Sequence, residues 1–281
     1  MAEAQLSYCA AEVRRRDPER FLTALFAPRG RREDLFTLYA FNLELAKTRE
    51  VVSEPILGRI RLQWWREAIA GIYAEAPQHQ AVAQALAGLV LSRGLGRAHF
   101  ERLIEAREQE LEEMPSQTLA LLEGFAANSS APLVALALEA LGVRGEAATV
   151  AAEACGTGWA LTGLLRAVPF HARQRRLYLP ADLLAEAGLA PDELFERGSA
   201  RGLPPVVRRI AARAHAHLAM LAPLRRQLPR AAVPALLPAV LARSHLAHLR
   251  RAGYDPFALK DQPKRPLAVL RVTAAAFSGR F

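Results

Sequence analysis

Apolar side chains recur along this chain at helical spacing, and no stretch of useful length alternates in the way a half-buried strand would. Leu35, Leu38, Tyr39 and Asn42 stand at i, i+3, i+4 and i+7, and the pattern continues through Leu45 and Ala46. Residues 60–73 predict a second helix with Gly71 late in it, and residues 81–91 a third that stops near Gly94 and Gly96. Residues 100–113 predict a strongly charged helix ending before Pro115, with Ser116 or Thr118 as the cap of the next one. Residues 132–141 read as a helix closed by Gly142, and residues 147–168 as a long Ala/Leu helix interrupted or ended at Pro169. Residues 170–205 look irregular, with short helices at 180–187 and 191–196. Two more helices follow at 206–228 and 233–251; Pro234 fits the first turn of the second, and Pro238 would disturb it. A Pro-rich, basic tail begins at about residue 253 and holds a last helical run near 266–277. With no repeat and no low-complexity linker, the expectation is an all-α fold, one helical domain over residues 1–281.

Composition agrees with that reading. Hydrophobic residues make up 52% of the 281 positions, much of it Ala and Leu, and aromatics only 7%, a balance that favours helix. No run of about 20 apolar residues is present, so no membrane-spanning helix is expected. The first residues lack a basic end followed by an apolar core, so no signal peptide is expected either. Cys9 and Cys155 are the only cysteines; far apart and without metal spacing, they read as reduced packing thiols of a cytoplasmic protein.

Charge adds a question. The net charge is +9, and of the 37 basic residues only Lys47, Lys260 and Lys264 are lysine. Arginine binds phosphates and carboxylates through a planar fork, so anionic lipid headgroups, diphosphates and acidic proteins are candidate partners. A GC-rich codon bias would give the same composition without any function. No arginine run is interleaved with aromatics, and nucleic acid is not expected as a partner.

The most informative stretch is residues 161–180. Leu161, Thr162, Leu165, Arg166, Val168, Ala172, Arg173, Arg176, Tyr178, Leu179 and Pro180 match the second signature of the phytoene/squalene synthase family, which this chain resembles. The resemblance extends in family order over about residues 7–257, through Ser7-Tyr8, Tyr39-Ala40-Phe41, Trp65-Arg66 and residues 122–142. It implies the isoprenoid synthase fold, a helical bundle around a central cavity. In that family carboxylates on two helices hold the magnesium that neutralises a departing diphosphate; carboxylates at i and i+4 share a helix face.

Both carboxylate sets are degenerate here. The second signature should carry two aspartates, at the positions of Ala167 and His171. The aspartate pair of the first signature falls on Ala46 and Lys47, its third acid on Glu50, and its usual arginine on Leu43. The expectation is therefore no catalytic residue, no metal and no cofactor. Arg166, Arg173, Arg176 and Tyr178 match positions that bind diphosphate or close the cavity in the family; an arginine-rich turn after a helix also caps carbonyls without binding anything. His215 and His217, and His245 and His248, read as helix-surface histidines, and the Trp64-Trp65 pair as core.

Residues 40–46, 52–54, 77–83 and 165–171 are similar to the branch of the family that contains a mitochondrial complex I assembly factor and its bacterial relatives. That branch implies a non-catalytic assembly or interaction factor. Its partners would be respiratory complex I subunits or assembly intermediates, with a peripheral contact on the inner face of the membrane and a cavity able to hold a prenyl lipid or quinone. The alternative is an active magnesium-dependent prenyltransferase condensing isoprenyl diphosphates, with Glu50 and Glu108 or Glu110 as substitute ligands. A third option, iron or haem ligation through His171, has no second ligand to support it.

Overall fold

The protein is described by a computed structural model over residues 6–51, 54–111, 117–197, 201–259 and 265–281. Among the described residues there are fifteen α-helices, two 3₁₀ turns and no strand. In chain order the helices are α1 (Tyr8–Arg16), α2 (Pro18–Ala24), α3 (Arg29–Val51), α4 (Pro55–Tyr73), α5 (Ala81–Arg93), α6 (Arg97–Leu111), α7 (Leu119–Ala140) and α8 (Glu146–Arg173). Then follow α9 (Ala181–Glu186), α10 (Pro191–Arg197), α11 (Leu203–Ala219), α12 (Leu221–Leu224), α13 (Val233–Leu236), α14 (Pro238–Arg251) and α15 (Arg265–Ser278).

Local chemistry explains most boundaries. The Thr118 side chain accepts from the Leu121 amide and starts α7. Gly94, at φ +59, closes α5 in the left-handed conformation. Pro238 disturbs the 233–251 run as the spacing implied: the stretch divides into α13 and α14, and Pro238 starts the second, at the position whose missing N–H has no helical partner anyway. The sequence pattern gave no helix before residue 35, although Ser7 caps α1 and Asp17 with Pro18 opens α2. Two boundaries differ from the expectation. Pro132 lies inside α7 and Pro169 inside α8, so neither helix is broken there. In α7 every residue from Ser129 to Val134 is buried, and such packing outweighs the lost hydrogen bond of a single proline.

α7 and α8 form the centre. They are joined by residues 141–145 and pack along their length, with α11 and α14 against α8, and α3 and α6 against α7. Gly156 and Gly158 make this possible. A Cβ on Gly156 would sit 2.4 Å from Ala131 Cα, and one on Gly158 would sit 2.6 Å from Leu218 Cγ on α11. One continuous set of buried side chains runs from Cys9 to Phe281. Phe41, Trp65 and Phe100 meet edge to face at 5.2 and 5.4 Å and lock α3, α4 and α6 together. α7 is the one described helix long and apolar enough to cross a membrane, and it sits in the middle of this packing. Cys9 and Cys155 are buried free thiols, pushed up by burial to about 11 and about 12.

Candidate functional site

The first degenerate signature lies on α3. Ala46 is half-buried and carries no donor atom. Lys47 binds the Glu44 carboxylate one turn back and lies 3.6 Å from Glu12 on α1. The other Glu44 oxygen accepts from Arg61 Nη2 on α4 at 2.7 Å. Glu12 also takes Arg15 and Arg16, and their charges hold its carboxyl below the ordinary carboxylate value against a burial that would raise it. A cation thus occupies the place of a metal ligand, and the acids around it are already neutralised. Glu50 is on α3, and its side chain lies outside the described residues.

The second signature lies on the last turns of α8, where the structure separates residues that the sequence lists together. Arg166 Nη1 donates to Glu19 Oε2 of α2 at 2.9 Å. The other Glu19 oxygen accepts from His245 Nε2 of α14 at 2.6 Å. Burial raises the Glu19 carboxyl, but the hydrogen bond from His245 and the Arg166 charge outweigh it and hold it at about 2. His245 is therefore a buried hydrogen-bond partner of Glu19, 5% exposed, and not the surface histidine its spacing suggested. Ala167 brings no donor. Arg173 is exposed and its Nε donates to the Pro169 carbonyl at 3.2 Å, capping its own helix.

His171 and Tyr178 do come together, with ring centroids 4.5 Å apart. Tyr178 Oη donates to Glu110 Oε1 of α6 at 2.9 Å, and Arg107 Nη1 donates to Glu110 Oε2 at 2.7 Å. Burial would raise the Glu110 carboxyl; the Arg107 charge and these two donors hold it low. Burial, reinforced by the Arg176 charge and opposed by Glu110, drops His171 from 6.5 to about 4. His171 is therefore neutral at pH 7. A histidine whose folded value lies below its unfolded one makes the folded state lose stability as pH falls from 6.5 to 4. The melting temperature should fall through that window, and His171→Asn should remove that part of the slope; thermal melts of both proteins across the window measure it.

These residues do not fit magnesium. Glu110 is committed to Arg107 and Tyr178, and Glu108 is held by both Arg66 Nη atoms at 2.8 and 2.9 Å. Among the described residues no three His, Cys, Asp or Glu side chains are placed to hold a metal ion. The partners Glu12, Glu19 and Glu44 escaped sequence reading, since each pairs with cations on other helices.

Trp65 is buried in the core as expected, but Trp64 is 36% exposed. It lines a groove of about 580 Å³ with Leu57, Ile60, Arg61 and Gln80. Glu44, which pairs with Arg61 and Lys47, lines the same groove.

The squalene/phytoene synthase family model matches residues 13–271. Assembly factor 6 of NADH dehydrogenase (ubiquinone) complex I from Mus musculus is 32% identical over 274 residues, 98% of this chain and 82% of its own length. The Homo sapiens protein of the same description is 32% identical over 94% of this chain and 79% of itself. Presqualene diphosphate synthase from Sinorhizobium fredii is 25% identical over 90% of this chain and 89% of itself. Among solved structures, a squalene synthase from Alicyclobacillus acidocaldarius superposes with a TM-score of 0.79 at 22% identity, over 88% of this chain and 94% of that one. A dehydrosqualene synthase crystallised with a ligand reaches 0.83 at 17% identity, over 97% and 95%. The motif order read from the sequence, the all-helical bundle centred on α7 and α8, and these matches agree: the chain belongs to the squalene/phytoene synthase family.

Proposed function

We propose that this protein is a non-catalytic member of its family and acts as an assembly factor for respiratory complex I. The observation that carries this reading is Lys47, a cation tied to Glu44 and Glu12 where the family resemblance calls for a metal-binding carboxylate. A diphosphate leaving group needs concentrated positive charge from a metal held by acids; here the acids are spent on Lys47, Arg61, Arg107 and Arg166. Further support comes from the similarity to complex I assembly factor 6 over nearly the whole chain. A peripheral contact with the inner face of the membrane belongs to the same proposal, as does a prenyl or quinone chain as ligand, for which the groove beside Trp64 offers apolar walls.

Deleting the gene from its host is expected to lower assembled complex I and NADH oxidation by membranes, with recovery on return of the intact gene. The purified chain with farnesyl diphosphate and magnesium should release no diphosphate above the protein-free rate. Turnover of that substrate, or a deletion strain with a full complement of complex I, would refute the reading.

A further inference from the structure

The geometry points to the outer face of α15, with the arginines around it, as a surface that docks on an anionic lipid bilayer. This rests on the peripheral membrane contact proposed above and names the part of the molecule that makes it. α15 packs chiefly on α14 through Val272 and Ala275, both buried. Leu267, Leu270 and Phe277 point the other way and are 50%, 65% and 76% exposed. At 100° per residue these three and Ala274 form one narrow apolar stripe along the helix. It lies on the outside of the bundle, exposed along its length.

Charge selects the occupant. No acidic residue lies between Glu196 and Asp255, and residues 197–281 hold 16 Lys and Arg against two Asp, while residues 1–196 hold 21 against 26 acids. The net charge of +9 is thus a C-terminal third at +14 on a remainder at −5. Part of that charge borders the stripe. Arg230 Nη2 donates to the Phe277 carbonyl and Arg225 Nη2 to the Phe281 carbonyl, both at 2.7 Å, which brings the α12 segment to the C-terminal end of α15. Arg226, Arg271 and Arg280 are exposed and, among the described residues, belong to no ion pair. An apolar stripe beside uncompensated arginines matches a bilayer interface, which offers acyl chains and phosphates together. Nucleic acid offers the phosphates without the apolar layer.

Flotation of the full chain with vesicles tests this. Binding is expected to vesicles of phosphatidylcholine mixed with phosphatidylglycerol, to weaken with salt, and to be absent with phosphatidylcholine alone. Arg226→Gln with Arg271→Gln should lower the partition coefficient about 25-fold, at about fivefold per charge. Leu270→Ser with Phe277→Ser should lower it about tenfold or more. All four side chains are exposed, so unchanged circular dichroism melts are expected and rule out misfolding. Failure of the unmodified chain to bind mixed vesicles, equal binding by either double variant, or capture of an acidic protein with vesicles refused would each overturn the assignment. None of these outcomes touches the assembly role, which the deletion strain decides separately.

Discussion

Glu19→Gln is expected to cost about 3 kcal/mol of folding stability at pH 7, and to flatten the acid side of the stability profile below pH 4.5. Glu19 joins α2 to α8 through Arg166 and to α14 through His245, and its side chain is only 24% exposed. Glutamine keeps the shape and loses the charge, leaving Arg166 without a counter-ion inside the bundle. The sign with pH follows from the carboxyl itself, at about 2 in the folded chain and 4.5 in the unfolded one. A lowered carboxyl stabilises the fold fully above the unfolded value, and that stability is lost as pH falls toward the folded value. Urea titrations at pH 7 and pH 3 should show a large gap between the two proteins at pH 7 that narrows at pH 3. A constant gap would mean that the Glu19 contribution is packing and not charge.

The same residue shows where sequence reading stops. Helices bounded by stop residues were legible, as in α5, which runs from Ala81 to Arg93 and is closed by Gly94. Pro132 and Pro169 misled because local propensity favours a break; at Pro132 burial of the surrounding turn favours continuity, while at Pro169 α8 continues for one more turn with Phe170 exposed. The family frame was legible from residues 161–180, since those residues are contiguous in sequence. The charge pairs were not. Glu19 meets Arg166 and His245 across 147 and 226 positions of chain, and Tyr178 meets Glu110 across 68. No periodicity carries such information, so the arginines of the second signature look free in the sequence while Arg166 is committed in the fold. His245 shows the same limit: one residue on a helix reads as surface until a second helix brings an acid to it.

Gly156→Ala is expected to destabilise the protein by about 3 kcal/mol or more, against the usual gain when alanine replaces a helical glycine. The added Cβ would lie 2.4 Å from Ala131 Cα, 2.5 Å from Ala131 N and 2.9 Å from the Ser130 carbonyl carbon. These are backbone atoms of α7 that cannot rotate away, so the two central helices must separate. Gly163 supplies the control on the same helix. Its Cβ would meet nothing within 4 Å, and Gly163→Ala should stabilise by about 0.5–1 kcal/mol through lower unfolded-state entropy. The two variants should therefore move the urea midpoint in opposite directions. α8 carries Arg166 and His171 beyond this crossing, and α7 is the wall it leans on, so the closeness of the two backbones at Gly156 also fixes how far α8 stands from Glu19 on α2 and Glu110 on α6. If both alanines stabilised alike, α7 and α8 would not be in backbone contact, and the pairing of Arg166 with Glu19 would lose its structural support.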